Sequence, residues 1–121
     1  MGATTFETTG KGKTVGEAFQ NARDQALWDY GHRGYTGSLA EKDDYVETVL
    51  PDGVEVDEFI GALMDGLHMW SVGDEPLEGK VPDWAPPNWE VLVEVYDSKW
   101  GPCVAIKTAP DEWTFCGWAS T

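Results

Sequence analysis

Two segments carry the side chains that could do chemistry. GHRGYTGSLAEK, residues 31–42, holds an imidazole, a phenol, a carboxylate and an amine, and KWGP, residues 99–102, puts an ammonium group beside an indole at a turn. If the folded chain brings the segments together, these groups could line a pocket for a small ligand. The candidate ligand-binding residues are His32, Tyr35, Glu41, Lys42, Lys99 and Trp100.

A purely structural role explains much of the same composition. Gly31 can end a helix, and His32 and Arg33 suit the negative end of its dipole. The glycines that follow can turn the chain into a strand. Trp100 can fold back onto a sheet edge instead of contacting a ligand or a partner. Both interpretations stay open at this point.

Charge is the strongest global signal in the sequence. Eight Lys and Arg residues stand against 22 Asp and Glu residues, giving a net charge of −14. Such a field repels nucleic acid and anionic membranes, so direct binding to either is not expected. It suits a solvated surface, cation binding, or a surface that imitates a row of phosphates toward a basic partner protein. The candidate partner-binding residues are Asp43, Asp44, Glu47, Glu55, Asp57 and Glu58.

Several familiar site patterns are incomplete. The two cysteines and two histidines lack the spacing of a zinc site, and no carboxylate cluster has the spacing of a calcium loop. GKGKT, residues 10–14, lacks the first glycine of a nucleotide-binding loop. No serine lies in a nucleophile elbow. The sequence therefore predicts no catalytic residue, metal or cofactor, and it favours a non-enzymatic protein.

The elements that must position these residues follow from local patterns. Residues 3–9 are rich in threonine and include a phenylalanine, which is typical of a strand. Thr14 and Glu17 form a capping box, and apolar residues at helical spacing predict a helix over 14–30.

The middle of the chain is predicted to be extended, then helical, then irregular. We expect a hairpin with strands over 35–40 and 45–50, or alternatively one long bent strand. Asp57 is placed to cap a second helix. Residues 71–88, rich in proline, glycine and acidic residues, are predicted to form a long loop.

The last third of the chain is predicted to form three strands. Residues 89–96 alternate with a period of two, and strands over 103–108 and 113–119 flank a turn. Antiparallel pairing through that turn would place Cys103 and Cys116 opposite each other, as buried free thiols in preference to a disulfide.

These elements give the order β-α-(ββ)-α-β-β-β. The expected fold is α+β, with an antiparallel sheet of five or six strands and two helices on one face. At 121 residues the chain is expected to form a single domain, 1–121, with its own core. No signal peptide or membrane span is recognised, so a cytoplasmic location is expected.

Three segments, GHRGYTGSLAEK, KWGPCVAI and FCGWAS, together resemble a group of small uncharacterised proteins from phages, mobile elements and their bacterial or archaeal hosts. The resemblance implies that the first segment and the KWGP turn belong to one design. It implies no catalytic residue, because no activity is attached to that group. Cys103 departs from the pattern, because a plain small residue would serve as well.

The functional expectation combines these observations. We expect a non-enzymatic acidic binding protein, of the phage-inhibitor type, that engages a basic site of a nucleic-acid-handling or defence protein by DNA mimicry. The alternative is a small-ligand-binding domain or an undescribed enzyme, with its pocket between residues 31–42 and the KWGP turn.

Overall fold

The computed structural model describes residues 3–30, 37–72, 82–98 and 101–120. The fold is α+β, as predicted, and contains three α-helices, one short 3-10 helix (Leu39–Glu41) and four strands within the described residues. In chain order the main elements are β1 (Ala3–Lys11), α1 (Val15–Tyr30), β2 (Tyr45–Val49), α2 (Val56–Val72), α3 (Trp89–Asp97), β3 (Cys103–Ala109) and β4 (Glu112–Ser120).

The sheet is mixed and has the strand order β1-β4-β3-β2. β4 pairs antiparallel with both β1 and β3, whereas β2 pairs parallel with β3. The predicted all-antiparallel sheet of five or six strands is therefore wrong. Parallel pairing requires a crossover connection, and α2 and α3 lie in the chain between β2 and β3.

The predicted hairpin over residues 35–50 is also wrong, as is the single bent strand. Residues 35 and 36 lie outside the described part of the chain, and Leu39–Glu41 is helical. The Ser38 hydroxyl starts this turn by accepting a hydrogen bond of 3.2 Å from the Ala40 N–H. Among the described residues of this segment, β2 alone forms a strand, and Tyr45 lies beside Cys103 of β3.

Residues 89–96 form α3 instead of the predicted strand, which raises the number of helices from two to three. The apolar residues fit two periods at once. Trp89, Leu92, Val93 and Tyr96 follow helical spacing and are buried, whereas Val91 is exposed. Burial of that helical set decides between the two patterns.

The second helix and the acidic loop need different boundaries from those predicted. α2 extends to Val72, so the start of the predicted loop over residues 71–88 belongs to the helix. Residues 82–88 form turns, and residues 73–81 lie outside the described part. No helix in the described residues is long and apolar enough to cross a membrane.

Helices cover both faces of the sheet, not one face as predicted. α1 packs on the first face, where the core consists of Ala18, Phe19, Ala22, Ala26, Cys103, Ala105, Trp113 and Phe115 with the 3-10 helix. α2 and α3 pack on the second face, with Phe59, Leu63, Leu92, Val93, Tyr96, Val104, Ile106 and Cys116. The sheet is thus the middle of three layers.

The predicted helix over 14–30 is confirmed as α1. The Glu17 N–H donates to the Thr14 hydroxyl at 3.2 Å, and the Glu17 carboxylate accepts from the Lys13 N–H at 3.1 Å. α1 lies very close to β1, since a Cβ on Gly10 would be 2.5 Å from the Ala18 carbonyl oxygen. Glycine at position 10 therefore permits this packing.

The two cysteines lie on opposite faces of the sheet. Cys116 pairs with Val104, one residue away from the predicted Cys103. The pairing of β3 with β4 has an irregularity between Lys107 and Ala109, and a one-residue shift moves a side chain to the other face. The expectation of free, buried thiols is confirmed.

Candidate functional site

The side chain of Lys42 joins the two segments that the sequence singled out. Lys42 follows the 3-10 helix and is fully buried. Its ammonium group donates to the carbonyl oxygens of Ser98 at 2.7 Å and Gly101 at 3.1 Å. These acceptors flank residues 99–100, so the predicted meeting of the first segment with the KWGP turn occurs at Lys42.

The contacts make Lys42 a clamp for the backbone. Two carbonyl oxygens accept hydrogen bonds from its amine, and the Gly101 N–H donates to the Ser98 hydroxyl at 2.9 Å. Burial lowers the pKa of Lys42, and the neighbouring Cys103 acts in the opposite direction. These contacts give Lys42 a structural role, and its binding of a ligand stays a prediction.

The backbone of the same residue is tied to α1. Arg23 Nε donates to the Lys42 carbonyl oxygen at 2.6 Å, and Arg23 Nη2 contacts Asp43 Oδ1 at 3.2 Å. The Asp43 side chain remains 92% exposed, so its ion pair is largely solvated and weak. Asp43 thus keeps most of its surface for other contacts.

The remaining predicted ligand residues are only partly placed. His32, Tyr35, Lys99 and Trp100 lie outside the described residues. Glu41 ends the 3-10 helix and is half-buried. A pocket between residues 31–42 and the KWGP turn therefore stays a prediction.

Burial favours the protonated form of both cysteine thiols. Burial raises the pKa of Cys103 to about 12, although Lys42 acts to lower it. Burial likewise raises the pKa of Cys116 well above its ordinary value. Because the thiolate is the reactive form, neither residue is a nucleophile near neutral pH.

The six predicted partner-binding residues are all exposed, and they accompany the edge strand β2. Asp43 and Asp44 precede this strand and Glu47 lies within it. The remaining three come after the strand, at the start of α2. We call this set the acidic edge: Asp43, Asp44, Glu47, Glu55, Asp57 and Glu58.

Glu47 has a second contact that the sequence did not reveal. Its carboxylate accepts a hydrogen bond of 2.8 Å from the Trp113 indole N–H. The Lys107 ammonium group lies 5.3 Å from the centre of the Trp113 ring. Glu47 therefore also supports the packing of the sheet.

The cations in the described residues do little to cancel the surface charge. Lys42 is buried, and Arg23 and Lys107 are half-buried in the contacts described above. Among the described residues only Lys11 and Lys13 are exposed cations, near the end of β1. The acidic side chains, by contrast, are mostly exposed.

Two surface features escaped the prediction from sequence. Trp28 on α1 is 85% exposed, although large aromatic residues are usually buried. Its position outside the apolar face of α1 was the available signal. Glu90, Glu94 and Asp97 form an exposed stripe on α3, which went unnoticed because the segment was assigned to a strand.

An open groove of about 430 Å³ lies at the far end of β3 from Lys42. The loop that follows β2 forms one side, and the turn between β3 and β4 forms the other. Its lining includes Asp52, Lys107 and Thr108. This position differs from that of the predicted pocket.

Within the described part of the chain, no group of three or more His, Cys, Asp or Glu residues is arranged to hold a metal ion. No protein-family model, curated protein or solved structure matches the chain. Functional proposals therefore rest on the chemistry of the residues themselves.

Proposed function

We propose that this chain is a non-enzymatic binding protein whose acidic edge engages a basic site on a partner protein. The observation that carries the proposal is the imbalance among the described residues, where many exposed carboxylates are opposed by two exposed cations, Lys11 and Lys13. With a net charge of −14, the chain presents a negative potential to its surroundings.

The contacts of the described cations explain why they neutralise few of the surface carboxylates. The Lys42 ammonium group donates to two backbone carbonyls, and the Lys107 ammonium group lies over the Trp113 ring. Arg23 reaches Asp43 but leaves that carboxylate 92% exposed. A partner rich in lysine and arginine would find the carboxylates of the acidic edge available, which speeds association and selects against acidic partners.

The extended part of the acidic edge supports imitation of nucleic acid. β2 has five residues, and a strand rises about 3.3 Å per residue, so it forms roughly 16 Å of extended chain, with Asp43 and Asp44 before it and Glu47 within it. Carboxylates along an extended chain resemble the row of phosphates along one DNA strand. The proposed partner is therefore a nucleic-acid-handling or defence protein, and the proposal includes inhibition of that partner by DNA mimicry.

Capture from a bacterial lysate tests the proposal. The wild-type chain is immobilised beside a charge-reversal variant with Asp43, Asp44, Glu55 and Glu58 replaced by lysine. A control variant carries the same change of charge at Asp83, Glu90, Glu94 and Asp111, which are exposed and outside the acidic edge.

The wild type and the control are expected to retain basic nucleic-acid-binding proteins at low salt, and added duplex DNA should displace them. The charge-reversal variant should not retain them. Retention by that variant, or indifference to duplex DNA, would contradict the proposal.

A small-ligand-binding function is the second candidate, and the groove beside Lys107 favours it. Lys107 offers a cation to an anionic ligand, whereas the Thr108 hydroxyl in the same lining already donates to the Glu112 carboxylate at 2.9 Å. Native mass spectrometry of the purified chain would reveal a retained ligand, and Lys107→Ala should release it. Equal retention by that variant would remove the groove from consideration.

A further inference from the structure

Trp28 exposes an apolar side chain that does not contribute to either face of the hydrophobic core. α1 buries the opposite side of the helix, where Ala18, Phe19, Ala22 and Ala26 contact the sheet. The other tryptophans with described side chains, Trp84, Trp89, Trp113 and Trp118, are buried or half-buried. Tryptophan is among the residues that most often dominate protein interfaces when exposed in this way.

Carboxylates flank this indole along the helix. Asp24 lies four residues before Trp28 and so shares its face, and Asp29 is the next residue; both are exposed. Gln20 donates to Asp24 at 2.8 Å and Gln25 donates to Asp29 at 3.1 Å, which orients one oxygen of each carboxylate. Neither carboxylate has an ion pair with another described residue.

The last turn of α1 contains Asp29 and no basic residue. An aromatic face and two carboxylates therefore both favour a cation at this surface.

We propose that Trp28, Asp24 and Asp29 form a site for an arginine side chain of the partner's basic segment. A guanidinium group is planar and stacks on an indole while its N–H groups reach carboxylates on either side. Lysine offers a single ammonium group and no planar stacking surface. The site deepens the proposed function, on which it rests.

Arg23 of α1 contacts Asp43 of the acidic edge. Trp28 follows five residues later, which is about 7.5 Å farther along the helix axis and roughly 140° around it. A basic segment bound at the acidic edge would therefore have to wrap around α1 to reach Trp28.

Titration with a hexa-arginine peptide tests the site, and hexa-lysine provides the comparison. The chain has seven tryptophans, and the indole N–H signal of Trp28 is assigned in ¹⁵N spectra as the one lost in Trp28→Phe. Because Trp28 is exposed, its variants are expected to fold, and circular dichroism verifies this. The matched control is Glu90→Gln/Glu94→Gln, which removes the same charge from α3 as Asp24→Asn/Asp29→Asn removes from α1.

The Trp28 signal is expected to shift on binding, and hexa-arginine should bind several-fold more tightly than hexa-lysine. Trp28→Ala and Asp24→Asn/Asp29→Asn should each weaken hexa-arginine binding at least about fivefold, and the α3 control less than about twofold. An unmoved Trp28 signal, equal affinity for both peptides, or equal losses in the α1 and α3 variants would overturn the site.

Capture from a lysate distinguishes failure of the arginine site at Trp28 from failure of partner binding by the acidic edge. If Trp28→Ala leaves capture unchanged while reversal of the acidic edge abolishes it, only the arginine site fails. If reversal of the acidic edge leaves capture intact, the proposed function fails, and the peptide titration still decides whether Trp28 binds arginine.

Discussion

The ammonium group of Lys42 donates a hydrogen bond of 2.7 Å to the backbone carbonyl of Ser98, across 56 positions of the chain. This contact joins the segment before β2 to the segment before β3. These two strands pair in parallel. A buried amine that is bonded to backbone carbonyls fixes the position of a turn independently of the side chains in it. The first prediction concerns this clamp.

Replacing Lys42 by methionine should lower the free energy of unfolding by about 1–3 kcal/mol. The variant loses two hydrogen bonds from a charged donor, and part of that loss is offset because no charge has to be buried. Lys13→Met, at an exposed position, is the control and should change stability by less than about 0.5 kcal/mol. Urea denaturation monitors both, and equal stability of the Lys42 variant and the wild type would refute the clamp.

Stability should fall as the pH rises above about 9. Burial raises the pKa of Cys103 from 9.0 to about 12, so the unfolded chain loses this proton first and the folded state is progressively disfavoured over that window. Burial raises the pKa values of Cys116 and Tyr96 in the same direction. The lowered pKa of Lys42 makes the folded state more favourable as the pH rises. Of these four groups only Lys42 acts in that direction, whereas the two thiols and Tyr96 act in the other.

Urea midpoints measured from about pH 8 to about pH 10.5 would reveal this slope, at most about 1.4 kcal/mol per pH unit for each thiol. A variant with Cys103→Ala and Cys116→Ala should show a shallower fall. Stability that stays constant or increases across the window would contradict the buried state of these groups.

Two glycine-to-alanine changes should have opposite effects. Gly10→Ala forces a Cβ to within 2.5 Å of the Ala18 carbonyl oxygen, so about 1–3 kcal/mol of stability should be lost. Gly61→Ala meets nothing within 4 Å in α2 and should gain up to about 1 kcal/mol from helix propensity. Thermal unfolding of the two variants checks the close packing of α1 on β1, which a tolerated Gly10→Ala would disprove.

Glu47 and Trp113 should be energetically coupled. Their hydrogen bond of 2.8 Å predicts a coupling energy of about 1 kcal/mol in a double-mutant cycle with Glu47→Ala and Trp113→Phe. Trp118 supplies the control, because its indole N–H is buried and has no acceptor among the described residues. A cycle of Glu47→Ala with Trp118→Phe should give no coupling, and similar values in the two cycles would argue against a specific bond.

Local patterns predicted the parts of the fold that local interactions determine. The capping box at Thr14 and Glu17 and the apolar face behind it were sufficient for α1. The same reasoning failed for residues 89–96, because Trp89, Leu92, Val93 and Tyr96 also satisfy a helical period and their burial depends on α2. The parallel pairing of β2 with β3 likewise depends on contacts between distant residues.

The candidate site shows the same division. The sequence left open whether the segment ending at Lys42 meets the KWGP turn, and the contact of Lys42 with backbone carbonyls could not be predicted because every residue type carries such an acceptor. The six carboxylates singled out from the sequence are exposed, and their binding to a partner stays a prediction. Trp28 was missed, since exposure of a single helix residue depends on what packs around the helix.

The most direct test of the central claim is the salt dependence of partner binding. The dissociation constant of a captured partner is measured for the wild type and for the variant with Asp43, Asp44, Glu55 and Glu58 replaced by lysine. We predict that wild-type affinity falls at least about tenfold between roughly 50 and 200 mM salt, and that the variant does not bind. Affinity that is independent of salt and retained in the variant would contradict the claim that the acidic edge is the binding surface.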